Sequence, residues 1–156
     1  MGTLPVLGWR EWVGLPDHGV EWVKAKVDTG ARTSALHATG LKTVDRGGGE
    51  WVRFRVHPWQ RSRQDSTVLE APVADRRMVR SSSGEAELRP VVLLPVRIGD
   101  RLVTIEFTLT RREQMGFRML LGRQAIRGRF TVDPGRSYLT GQPPRTERGP
   151  VDPTGG

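Results

Sequence analysis

Asp28, Thr29, Gly30 and Ala31 put a carboxylate, a hydroxyl and a glycine into one short run. Residue types of this kind can do acid–base chemistry when a turn presents the carboxylate to a cleft. The glycine then lets a backbone or substrate approach closely. The alternative is an Asx turn without chemistry, so the flanking elements matter. Val23–Val27 alternates apolar and basic residues, the period-2 pattern of a half-buried strand. Arg32–Leu36 is small and β-tolerant and reads as a short second strand. A strand therefore delivers Asp28 into a tight turn.

Further along, Val6–Val13 reads as an opening strand, closed by a turn cluster at Gly14–Gly19. Trp51–Val56 alternates cleanly after a loop tip at Gly47–Gly49. Ser66–Leu69 and Asp75–Val79 read as two further strands, and Ser81–Gly84 as a small-residue hairpin tip able to flex over a cleft. Two apolar runs, Val91–Ile98 and Arg101–Thr110, surround a two-residue Gly-Asp turn, a strong hairpin signal. Met119–Leu121 is a short apolar strand closed by Gly122. One helical turn follows over Arg123–Ile126, and Phe130–Val132 is a last strand. These closely spaced strands predict an all-β barrel or sandwich.

At 156 residues the chain suits one domain, expected over residues 1–140, with a Pro- and Gly-rich tail over 141–156 expected to be disordered. There is no run of about 18 apolar residues to span a membrane, and the N-terminus lacks the pattern of a secretory signal. A cytoplasmic location is the expectation. The absence of cysteine excludes disulfides, thiolate metal sites and Cys nucleophiles. Net charge is +8, and 22 of the 25 basic residues are arginine. It is uneven: 0 over residues 1–40, +3 over 41–90 and +5 over 91–156. Arginine forks bind carboxylates and phosphates in bidentate fashion, so the charge suits either a solvated surface or an anionic partner.

The order of these features resembles the retropepsins, single-domain aspartic proteases with an apolar strand before Asp-Thr-Gly, a mid-chain flap hairpin, and an apolar pair before Gly-Arg and a short helix. Gly8–Trp12, Lys24–Ala38, Arg80–Gly84 and Met119–Arg123 further resemble a bacterial retropepsin-like family that carries the label "ATP-dependent zinc protease". The resemblance covers residues 6–139. It implies a closed retropepsin-like barrel with one short helix near residues 123–128, and aspartic-type peptidase activity. Asp28 is then the catalytic aspartate, Thr29 hydrogen-bonds across a two-fold centre, and Gly30 leaves room for the scissile peptide. The substrate-contacting residues it implies are Ala31, Arg77, Arg80, Ser82, Ser83, Gly84 and Arg123.

Metal-free peptide hydrolysis without a covalent nucleophile needs one carboxylate to take a proton from water and a partner acid to protonate the carbonyl oxygen. Two carboxyls a few ångströms apart share one proton. The chain has a single Asp-Thr-Gly, so the second acid must come from a second copy, and the expected active form is a homodimer. No cofactor is expected. The zinc label finds no His-Glu-x-x-His motif, and the histidines (His18, His37, His57) are scattered; ATP dependence finds no Gly-x-x-x-x-Gly-Lys loop. The longer middle, residues 40–90, and a tail poorly suited to strand exchange set the chain apart from viral retropepsins and imply a different dimer geometry.

Arg76, Arg77 and Arg80 flank the flap, and Arg111, Arg112, Arg118 and Arg123 surround the second cleft strand. A basic cleft would favour a Glu-rich peptide or protein substrate, such as an oligo-glutamate tail. Two rivals follow from the same residues. One is a catalytically silent binder of acidic peptides with this fold; the other is a basic nucleic-acid-binding β-barrel, which would pair arginines with stacking tryptophans. Trp12 and Trp22 fit core packing of an N-terminal hairpin better, which makes nucleic acid a poor partner.

Overall fold

The computed structural model describes residues 3–57, 66–80, 84–111 and 116–143. Eleven strands follow in chain order, β1 Val6–Leu7, β2 Arg10–Leu15, β3 Val20–Val27, β4 Ser34–His37, β5 Thr39–Arg46, β6 Gly49–Val56, β7 Thr67–Arg80, β8 Ala86–Ile98, β9 Arg101–Thr110, β10 Met119–Leu121 and, after helix α1 (Arg123–Ile126), β11 Thr131–Val132. The fold is all-β with one short helix, as the sequence predicts.

Strand order in the main sheet is β2-β3-β10-β4-β9-β8, and a bridge between Gly14 and Arg97 joins β2 back to β8, closing a six-stranded barrel. Closure leaves no free edge within those six strands. Alternation along the strands fills the interior: Val92, Leu94, Val96 and Ile98 from β8 meet Val103, Ile105, Phe107 and Leu109 from β9, all buried. Gly99 (φ +65°) makes the two-residue turn between them.

The middle of the chain builds what the barrel does not need. β7 pairs with β6 through Pro72, then changes partner to β8 from Val73 onward. β8 does the reverse, pairing with β9 only from Val91. The hairpin Arg76–Arg80/Ala86–Pro90 therefore projects past the last β8–β9 pair as a flap, while β5 and β6 extend the sheet to one side. The two strands expected at Ser66–Leu69 and Asp75–Val79 are thus one strand. Pro72 is tolerated because the partner exchange falls there, where a missing N–H costs little. β5, an edge strand with five of its eight residues exposed, escapes periodicity.

The single opening strand expected at Val6–Val13 is two. Gly8 lies against the Arg136 carbonyl, where a Cβ would come within 2.2 Å, and the chain there changes partner from β11 to β3. The expected turn cluster starts later, since β2 runs on to Leu15 and Pro16–His18 form one 3-10 turn. β1 and β11 pair in parallel inside one chain. The expected tail is described only through Pro143, without regular structure; residues 144–156 lie outside the described residues.

Glu11 ties this terminal region down. Fully buried, its carboxylate accepts hydrogen bonds from the backbone N–H groups of Gly8 (2.6 Å), Leu139 (3.0 Å) and Thr140 (3.1 Å) and from the Thr140 hydroxyl (2.9 Å). Nearby, the Lys24 ammonium lies between the rings of Trp12, Phe117 and Tyr138 at 5.6–5.8 Å, so Trp12 packs the N-terminal hairpin as expected. Removing the Glu11 carboxylate leaves one buried and three part-buried donors without their acceptor. Glu11→Ala is therefore expected to lose about 3 kcal/mol or more of stability in a urea melt.

Candidate active site

β3 ends at Val27, and the chain turns through Asp28–Thr33 into β4. These two strands are neighbours in sequence but not in the sheet, because β10 lies between them. It runs parallel to β3 (Leu121 opposite Val27) and antiparallel to β4 (Leu120 opposite Ala35). The Asp28 N–H donates to the Leu121 carbonyl at 2.9 Å. The Gly122 N–H donates to Ser34 Oγ at 2.9 Å. Backbone N–H groups of Arg123 and Gln124 then donate to the carbonyls of Ala31 (2.7 Å) and Arg32 (3.1 Å). Residues 121–124 thus grip the Asp turn and the start of β4 at four points.

Within the turn, the Gly30 N–H donates to Asp28 Oδ1 at 2.9 Å, and the Ala31 N–H to the Asp28 carbonyl at 3.2 Å. Asp28 is partly exposed and Thr29 and Gly30 are exposed. Among the described residues no cation forms an ion pair with Asp28. The turn therefore fixes one carboxylate oxygen through a backbone donor and leaves the other side of the group open. One acid so held can accept a proton from water but has no second acid in its own turn.

The expected site residues divide into two groups. Asp28, Thr29, Gly30, Ala31 and Arg123 come together; Arg123 Nη1 donates to the Thr29 carbonyl at 2.9 Å, which makes it a clamp on the turn. Arg77, Arg80 and Gly84 lie on the flap and make no hydrogen bond to the turn. Arg77 reaches across to Glu106 (3.0 Å) with Asp75 at 3.6 Å, Arg80 donates to the Gly84 carbonyl at 3.3 Å, and Gly84 adopts φ +86°. Ser82 and Ser83 lie outside the described residues. Ser34 escapes sequence reading; its only signal is a small hydroxyl residue at the start of the strand after the turn. His37 and His57 come to 6.2 Å between ring centroids, but no group of three or more metal-ligating residues occurs among the described residues.

A family model described as the retropepsin-like aspartic endopeptidase RimB matches residues 6–143. The chain belongs to the RimB-like family. A crystal structure of a RimB-like chain's neighbour in fold, the Legionella pneumophila protein Lpg0085 of unknown function, superposes with a TM-score of 0.73 at 29% identity, covering 88% of this chain and 99% of that one. Curated relatives include proteins named probable alpha-L-glutamate ligase from Desulfotalea psychrophila (41% identical) and Shewanella halifaxensis (44%), each over 137 residues. That match takes in 88% of this chain but only 30% of theirs. The RimB-like chain thus spans under a third of those relatives' length. No helix among its described residues is long and apolar enough to cross a membrane.

Proposed function

We propose that the chain is an aspartic endopeptidase, active as a homodimer in which Asp28 faces the partner subunit's Asp28 and the pair hydrolyses peptides carrying acidic segments. The observation that carries this reading is the Asp28 turn itself. Its carboxylate is held by a backbone N–H, open on one side, and gripped from behind by a strand inserted from ninety residues later. In the proposed reaction one carboxylate removes a proton from water as the oxygen attacks the scissile carbonyl carbon. The protonated partner donates to the carbonyl oxygen. Collapse of the tetrahedral intermediate breaks the C–N bond, and the departing amine takes up a proton from the dyad. The flap, anchored by Arg77 on Glu106, is the element suited to cover a bound peptide.

An acidic substrate is supported by the net charge of +8 and by the relatives named as glutamate ligases, whose product class a peptidase of this kind would trim. The test is specific activity against a Glu-rich peptide, read by mass spectrometry across a dilution series. Activity per chain is expected to rise with protein concentration and then level off as dimers saturate. Activity that is independent of concentration down to nanomolar protein would overturn the shared dyad, and no cleavage of any peptide would overturn the peptidase.

A further inference from the structure

Two groups of arginines in this chain stand in contrast. On the extended sheet and the flap most are matched to carboxylates: Arg46 and Arg53 to Glu70, Arg76 to Glu50, Arg77 to Glu106 and Asp75, and Arg89 to Glu87, while Arg55 donates to Ser66 and Arg80 to the Gly84 carbonyl. The Glu70 carboxyl is held below the usual carboxylate range, chiefly by its hydrogen bond from Arg46. Around α1 the pattern is the reverse. Arg32, Arg101, Arg123, Arg127 and Arg129 are all exposed, and among the described residues none forms an ion pair.

These five belong to one surface. Arg123 and Arg127 lie one helical turn apart, linked by the Arg127 N–H to the Arg123 carbonyl. Arg129 donates back to the Gln124 carbonyl at 3.2 Å, Arg101 donates to the Arg129 carbonyl at 3.4 Å, and the Arg32 carbonyl accepts from the Gln124 N–H. Gln124 and Arg129 also line a cleft of about 170 Å³ between α1 and the outer face of β8 and β9. Acids near this surface include Glu106, on the far wall of that cleft and already occupied by Arg77, Asp100, which precedes Arg101, and Asp28 itself.

We infer that the arginine cluster around α1 is an exosite that holds a carboxylate-rich segment of a peptide beside the catalytic turn. The inference rests on the peptidase reading but locates acidic recognition on α1 instead of the flap, whose arginines, Arg80 apart, are already neutralised. The cluster reaches the turn directly, since Arg123 is bonded to the Thr29 carbonyl. A segment bound there lies next to the Asp28 turn. Arginine forks favour the planar, bidentate geometry of carboxylates. A nucleic acid would also want exposed rings for stacking, and every described Trp, Phe and Tyr is buried or only partly exposed.

The test uses the full chain in an Asp28→Asn background, so that binding is read without turnover. Fluorescein-labelled hexaglutamate is titrated against Asp28→Asn alone and with Arg127→Glu and Arg129→Glu added. The double charge reversal is expected to weaken binding about tenfold at low salt, with the difference shrinking as salt rises. In the Asp28 form the same reversal should raise KM for a Glu-tailed peptide while leaving kcat, and both constants for its untailed version, unchanged. Unaltered hexaglutamate affinity, or equal loss on tailed and untailed peptides, would overturn the exosite whether or not the chain proves to be a peptidase. Tighter binding of a hexanucleotide through the same two arginines would overturn the peptide assignment.

Discussion

Asp28→Asn is expected to lower peptide hydrolysis at least about 1,000-fold, the contribution of a positioned acid–base group, while leaving the fold in place. The amide keeps an oxygen where the Gly30 N–H needs an acceptor at 2.9 Å, and the side chain is partly exposed, so no buried donor is orphaned. Its thermal midpoint should stay near that of the parent chain. The variant becomes decisive when mixed. If each active centre takes one aspartate from each of two copies, an equimolar mixture at constant total protein falls to about a quarter of the parent activity once subunits exchange. If every chain works alone, the same mixture keeps about half. A silent binding module would show no turnover in either sample and unchanged peptide affinity in the variant.

Gly122→Ala is expected to be severely damaging, on a par with a methyl at Gly8 among the described residues. A Cβ at this position would come within 2.2 Å of the Thr33 carbonyl oxygen, 2.5 Å of its carbon and 3.0 Å of the Ala31 carbonyl oxygen. All three are backbone atoms of the segment joining the Asp turn to β4, so no side chain can swing aside. Backbone conformation is not the obstacle, because Gly122 has φ −88°. The glycine is needed for close approach. Pushing the segments apart breaks the Gly122–Ser34 and Asp28–Leu121 hydrogen bonds that locate the turn. The expected cost is about 2–4 kcal/mol in a denaturant melt, together with loss of activity that peptide saturation does not restore.

Much of this architecture is legible in local pattern. Val23–Val27 alternates because one face of β3 packs the barrel, and the strand ends at Val27 as the pattern says. The Gly-Asp hairpin and the helical turn at Arg123–Ile126 are equally local, since turn chemistry and a closing glycine decide them. β5 and the continuity of β7 are not local. The first is stabilised by pairing with β6 and the second by exchanging partners at Pro72. The same division holds at the site. Asp28, Gly30 and Arg123 announce themselves by type and neighbours. The grip of residues 121–124 on the turn, and the role of Ser34 in it, exist only once β10 has been inserted. Arginines look alike in a sequence, and only tertiary pairing separates those already matched to carboxylates from those on α1.

The insertion of β10 between β3 and β4 also sets a clock. Asp28 leaves the ribosome before its frame does, because the carbonyl of Leu121, the N–H of Gly122 and the guanidinium of Arg123 that fix its turn come about ninety residues later. Contacts of such sequence separation form late, after the costly closure of a long loop. A growing chain still attached to its ribosome therefore carries the aspartate without the frame that aims it until α1 has emerged and docked.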